Sequence, residues 1–223
     1  MTKRILGILV AVLMVMALIP MSAFAKDAKT VAPTRDTQTW DFEGETTGWT
    51  LVDNDGDGFN WQLASVAMAG YIVPAYSGAD CISSKSYDAD AGALTPDNWA
   101  ISPAITADDL SAVTMTFWAQ AQDASYPQEH FGVAVGNSAD PSEMVMVQEW
   151  DMTASVTRAT GNWYQYTVTL NGVEDVEPGT IYFAIRHFNC SDWFYLNVDL
   201  VEVTVEGGSV EPTDPPVDPT EPP

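Results

Sequence analysis

Asp53, Asp55 and Asp57 alternate with Asn54 and Gly56, and Gly58 follows, so one short turn carries three carboxylates and glycines that let the chain curl around a point. A hard cation such as calcium takes about six to eight oxygen ligands, and alternating aspartates deliver several of them from a single loop. The spacing fits the first half of an EF-hand loop. That assignment fails, because the twelfth position counted from Asp53, where a bidentate Glu belongs, is Ala64, and the flanks are aromatic and strand-like rather than helical. What remains is a carboxylate-rich loop between strands, needing further ligands from elsewhere in the fold. Its rival is a solvated Asp/Gly turn.

The elements around the loop read as strands. Val113–Trp118, Trp163–Leu170 and Thr180–Ile185 are rich in β-branched and aromatic residues, and no stretch has convincing helical periodicity. Turn signals separate them: Asn171-Gly172, Glu177-Pro178-Gly179, Asn137-Ser138 with Asp140-Pro141, and the glycines of the Asp loop. Many short strands so punctuated predict an all-β fold, an antiparallel two-sheet β-sandwich of jelly-roll type. The last strand spans Leu196–Val205, with Val198, Leu200 and Val203 supplying apolar contacts while Asp199 and Glu202 interrupt the pattern. An acid inside an otherwise good strand invites a ligand role, so Asp199 joins the candidates.

Thr2-Lys3-Arg4, an apolar run from Ile5 to Ile19, and Ser22-Ala23-Phe24-Ala25 compose a secretory signal peptide over residues 1–25, cut after Ala25. A spanning helix is the rival, but no basic stop-transfer cluster follows. Residues 26–39 form a polar lead-in, 40–206 one domain, and 207–223 a Pro/Thr/Asp-rich linker or tail that cannot bury a core. The domain holds only Lys85, Arg158 and Arg186 as basic residues within a chain of formal net charge -23, which excludes nucleic acid as a partner. Export exposes the protein to calcium and to oxidising conditions. Cys81 and Cys190 are therefore expected to form a disulfide, which would stabilise by roughly 4–5 kcal/mol in the chain-entropy model, with two free thiols as the alternative.

His130 and His187, with Glu129, Asp123 and Asp192, contain the residue types for acid/base or zinc chemistry, but they lack short His-x-x-x-His spacing and are read as structural. Arg186 is expected to pair with one of the many carboxylates. Asp97 and Asn98 read as a turn before a strand. Tyr71, Tyr76, Tyr126 and Trp193 fall in loops and are the weaker, ligand-binding candidates, since flat rings with a polar edge suit sugars or protein hot spots. One or two of them are expected to stay exposed.

Several segments, in order across the domain, resemble the cleaved-adhesin domains of gingipain-type bacterial surface proteins and the wider choice-of-anchor J group. They are Asp41-Phe42-Glu43-Gly44 with Gly48-Trp49, the Asp53–Trp61 stretch, Ser84-Lys85-Ser86-Tyr87, Pro96–Pro103, Phe117-Trp118, Ala121–Tyr126 with Glu129-His130-Phe131, and Phe183–Phe188 with Phe194–Val201. The resemblance implies a jelly-roll module, secreted or on the surface of a bacterium, that binds calcium (Ca2+) structurally and serves adhesion without catalysis. It carries the metal positions onto Glu43 of a short first strand, Asp53, Asp55, Asp57 and Asp199. The family commonly has two adjacent acids near its end, and here the second is Leu200. If the first and last strands lie side by side, Glu43 and Asp199 approach the Asp loop and one ion fastens both chain ends; otherwise they are rim acids. The function implied is a monomeric calcium-stabilised module contacting an extracellular protein or glycan. A carbohydrate-binding module on a polysaccharide-degrading enzyme and a glycan hydrolase are the rivals.

Overall fold

The computed structural model describes residues 35–152 and 162–207. The leader, the tail beyond Gly207, and Arg158 lie outside the described residues. In chain order the strands are β1 Arg35–Trp40, β2 Thr50–Asp53, β3 Gln62–Leu63, β4 Ile82–Lys85, β5 Tyr87–Asp88, β6 Gly92–Ala93, β7 Asp97–Ile101 and β8 Ile105–Ala107. There follow β9 Val113–Ala121, β10 His130–Gly136, β11 Val145–Asp151, β12 Tyr164–Thr169, β13 Gly179–Phe188 and β14 Tyr195–Glu206. Among the described residues the α-helix is a single turn, Ala64–Ala67.

Two antiparallel six-stranded sheets form the sandwich. One runs β12-β9-β14-β4-β3 with β1 also on β14; the other runs β11-β10-β13-β7-β2 with β8 also on β13. Alternation sets the inner faces. Strand β9 buries Val113, Met115, Phe117 and Ala119, and β13 buries Ile181, Phe183, Ile185 and, last in the same row, His187. Phe117, Phe131, Trp150 and Tyr166 pack as an aromatic cluster with ring centroids 5.0–6.1 Å apart. The fully buried Phe117 and Phe131 rings each stabilise by about 1.5–3 kcal/mol before entropy is counted.

Two features correct the sequence-based boundaries. Strand β1 begins at Arg35, inside the stretch assigned to the lead-in, and pairs with β14 from Arg35↔Glu206 to Trp40↔Val201. Its polar alternation conceals it, since it lies along the sheet edge with Arg35, Asp36, Thr37 and Thr39 exposed. Glu43 consequently lies in the loop after the first strand rather than within it. Strand β14, in turn, carries a bulge: Asp199 faces Trp118 on β9, and the next partners are Glu202 and Thr116, so one residue is extra. Leu200 takes φ +46 there. The bulge reverses the facing of the strand, so Leu196 and Val198 point inward before it and Val201, Val203 and Val205 after it. Leu200 is not part of the apolar row, and Asp199 interrupts the pattern because it faces the outer side.

Candidate functional site

Strand β2 delivers the Asp loop at the edge of the second sheet, where Asp53 lies opposite Asn98 of β7. Gly56 and Gly58, at φ +73 and +86, turn the chain so that its N–H groups point back at the aspartates. Gly56 and Gly58 donate to the two oxygens of Asp53 at 2.8 and 2.9 Å, and Phe59 donates to Asp57 at 2.7 Å. The start of β7 clasps the loop: Asp97 N donates to Asp55 at 3.0 Å, and Asn54 donates to the Asp97 carboxylate at 2.7 Å. One oxygen from each of Asp53, Asp55 and Asp57 lies within 4.8 Å of the others. Burial and the hydrogen bond shared with Asp53 push the Asp55 carboxyl up, while that same bond holds Asp53 down. Crowded carboxylates in an all-oxygen set fit a hard divalent cation, whose charge relieves the repulsion.

Glu43 and Asp199 meet elsewhere, at a gap created by the topology. On one edge of β14, β1 ends at Trp40↔Val201 and β4 begins at Ile82↔Val198, leaving the bulge at Asp199–Leu200 uncovered by a strand. The segment 76–80 fills that gap. Tyr76 N and Ser77 N donate to one Asp199 oxygen at 2.8 and 2.9 Å, and Leu200 N donates to the other at 2.6 Å. Glu43 receives Ala79 N at 2.9 Å and Asp80 N at 3.3 Å. Asp199 is fully buried, and burial raises its carboxyl against the pull of these three N–H donors, with the Glu43 charge adding to the rise. Gly78, at φ +61, leaves the space that the Glu43 carboxylate occupies; a Cβ there would overlap it. Replacing Gly78 by Ala is expected to unseat Glu43 and destabilise the fold by about 1–3 kcal/mol, measured by urea unfolding.

The five predicted metal residues therefore divide into two groups. The side-by-side first and last strands bring Glu43 and Asp199 together as anticipated, but Asp53, Asp55 and Asp57 gather on the other sheet rather than at that junction. The expected disulfide is also corrected. Cys81 and Cys190 are free thiols: Cys81 is buried against Ala64 and Met68, whereas Cys190 lies beside Glu129 and His187. The loop strands that flank them lead to different surroundings, and burial drives both thiols far above their ordinary range.

Of the aromatic candidates, Tyr126 and Trp193 share one surface cleft of about 400 Å³ with Tyr87, Asp123, Asp192 and Phe194. Tyr76 instead stacks on Trp118 at 3.8 Å. Tyr71 stands out at 82% exposed next to Ile72 at 92%. Three of the four, Tyr71, Tyr76 and Tyr126, are exposed, more than expected. Arg186 meets its carboxylate in Asp97 at 2.6 Å and lies over the Trp99 and Phe188 rings.

Sequence reasoning underrated one constellation. Glu129 and His187 are both fully buried, and His187 Nε2 lies 3.0 Å from Glu129 Oε2. Cys190 Sγ is 3.3 Å from the same oxygen and 3.2 Å from the same nitrogen. Burial alone would raise the Glu129 carboxyl, but His187, Phe194 N and Ser86 outweigh it and hold it low. The His187-x-x-Cys190 spacing was the one local signal; Glu129 comes from a distant loop. His130, by contrast, bonds Asp151 and Glu149 at the sheet end.

Residues 38–203 match the family described as Cleaved Adhesin Domain. Hemagglutinin A of Porphyromonas gingivalis is 36% identical over 171 residues, 71% of this chain and 8% of that protein, so the chain spans under a tenth of that relative's length. The solved K1 Cleaved Adhesin domain of Lys-gingipain (Kgp) from P. gingivalis W83 superposes with TM-score 0.63 at 35% identity, over 75% of this chain and 97% of that one. The K3 domain of the same protein gives 0.62 at 34% identity, over 77% and 99%. The chain thus belongs to the cleaved-adhesin family, as a bacterial adhesion module of the secreted or cell-surface kind rather than a protease catalytic domain.

Proposed function

We propose that this module is clamped by calcium at two places, the Asp53–Asp57 loop and the Glu43–Asp199 junction, and binds an extracellular protein or glycan through the loop face around Tyr126 and Trp193. Calcium supplies charge neutralisation and cross-linking, not chemistry. The chain's own groups do the rest: the loop N–H donors fix the aspartates in advance, and Gly78 leaves room for Glu43. The module binds and does not cleave.

The observation that supports this reading is the Tyr126–Trp193 cleft. Its volume of about 400 Å³ is lined by aromatic rings with Asp123 and Asp192 among them, a combination that stacks on a flat ligand face and accepts hydrogen bonds at its edge. A host-protein partner is additionally favoured by the exposed apolar residues Val66, Tyr71 and Ile72. The same cleft is also compatible with the second reading, a carbohydrate-binding module in the strict sense. Arrays of glycans and of extracellular matrix proteins separate the two, and pull-downs on cellulose and xylan test the second directly. Tyr126→Ala is expected to weaken binding by about tenfold or more with the melting temperature unchanged. Binding unaffected by Tyr126→Ala and Trp193→Ala would remove the cleft from the interface.

A further inference from the structure

Glu129, His187 and Cys190 do more than satisfy one another. Their donor atoms come from two segments, the loop before β10 and the end of β13 with the turn after it, and converge: Nε2 to Oε2 is 3.0 Å, Sγ to Nε2 is 3.2 Å and Sγ to Oε2 is 3.3 Å. A Cys-His-acid relay would place the acid on the far nitrogen of the imidazole from the thiol. Here thiol and acid share Nε2, and the far nitrogen, Nδ1, is bonded to Ser84 Oγ at 2.7 Å. The three atoms form a triangle, not a chain.

We propose that this triangle is a binding site for a borderline-soft divalent ion of the zinc class, distinct from the oxygen sites suited to calcium. One thiolate, one imidazole nitrogen and one carboxylate oxygen are the donors such ions prefer, and calcium does not. In a tetrahedral site with zinc bonds of about 2.0–2.3 Å, these donors stand about 3.3–3.6 Å apart, so the triangle has to open by only a few tenths of an ångström.

The supports that hold ligands in place are already present. Glu129 Oε1, the oxygen facing away from the triangle, accepts from Ser86 Oγ at 3.0 Å and from Phe194 N at 2.8 Å. His187 Nδ1–H can donate to Ser84 Oγ, which Asn98 also approaches at 3.1 Å and thereby fixes. Such partners orient an imidazole and a carboxylate toward a metal. On binding, the Cys190 S–H proton is released to solvent as the sulfur–metal bond forms, and the proton that His187 Nε2 holds toward Glu129 is given up while Nδ1 carries one toward Ser84 Oγ, so that Nε2 offers its lone pair from a neutral imidazole. The dication, one thiolate, one carboxylate and a neutral imidazole sum to zero, which suits a buried position. An entry route exists, because Cys190 lines an open cavity of about 590 Å³ with Pro96, Asn189, Ser191 and Trp193. Water from that cavity can complete the fourth position.

The test uses the whole exported protein, metal-stripped and then kept in excess calcium so that the oxygen sites are saturated. Cobalt(II) is the probe, because its bond to a thiolate gives a charge-transfer absorption that carboxylates do not. One equivalent is expected to produce that band, zinc to bleach it, Cys190→Ser to abolish it, and Cys81→Ser to leave it intact. In the unmutated protein, zinc at about ten times its dissociation constant should slow alkylation of Cys190 by about tenfold, read by peptide mass spectrometry, with Cys81 unaffected. Absence of the band, its survival in Cys190→Ser, or alkylation of Cys190 at the same rate with and without zinc would overturn the proposal.

Discussion

Chelating calcium is expected to lower the melting temperature of the folded protein by about 5–10 °C. An ion that binds only the folded state contributes RT ln(1 + [L]/Kd), about 2.7 kcal/mol at a hundredfold excess over Kd, and in a domain of this size each kcal/mol moves the midpoint by roughly 2–4 °C. Differential scanning calorimetry with chelator and with excess calcium measures it. Asp55→Asn separates the contributions. It removes one of the crowded carboxylates, so it should shrink the calcium increment while leaving the calcium-free protein as stable or slightly more so. Superimposable melting curves with and without calcium would leave the aspartates as an ordinary solvated turn.

The second large effect is expected from Asp199→Ala. The fully buried carboxylate accepts from Tyr76 N, Ser77 N and Leu200 N, and truncation strips all three of their acceptor. Hydrogen bonds to a charged group contribute about 1.5–3 kcal/mol each and are not additive, so a total loss of about 3–5 kcal/mol is the expectation. It should appear in urea unfolding with chelator present, because the three bonds need no ion. Asp199→Asn keeps one acceptor oxygen and should lose less. A cost below about 1 kcal/mol for the alanine variant would mean that segment 76–80 is held by other contacts.

Periodicity made the central strands legible: the runs read at Val113, Trp163, Thr180 and Leu196 correspond to β9, β12, β13 and β14 within one or two residues at most ends. Strand β1 escaped because an exposed edge strand has no apolar alternation to display. The Asp loop was visible because its ligands are local in sequence. The junction of Glu43 with Asp199 needed the fact that β1 and β4 share one edge of β14 and leave a gap, and no window of sequence contains that. The disulfide was inferred from an even cysteine count in an exported chain, a compositional rule blind to where two β-strands deliver their thiols. Glu129 remained hidden for the same kind of reason: its partners Ser86, His187 and Phe194 are 43, 58 and 65 residues away.

The pairing of Arg35 with Glu206 has a mechanical consequence for a module that holds one body against another. Tension applied at those two positions pulls the rungs of an antiparallel ladder apart one by one, an unzipping geometry, rather than loading all of them together in shear. Strand β1 should peel away at low force until the strain reaches Trp40 and Phe42, which pack on Trp49 at the core, and then Glu43 with its grip on Ala79 and Asp80. The domain would then lengthen by a short, recoverable step before its sandwich is endangered, behaving as a shock absorber with a built-in stop.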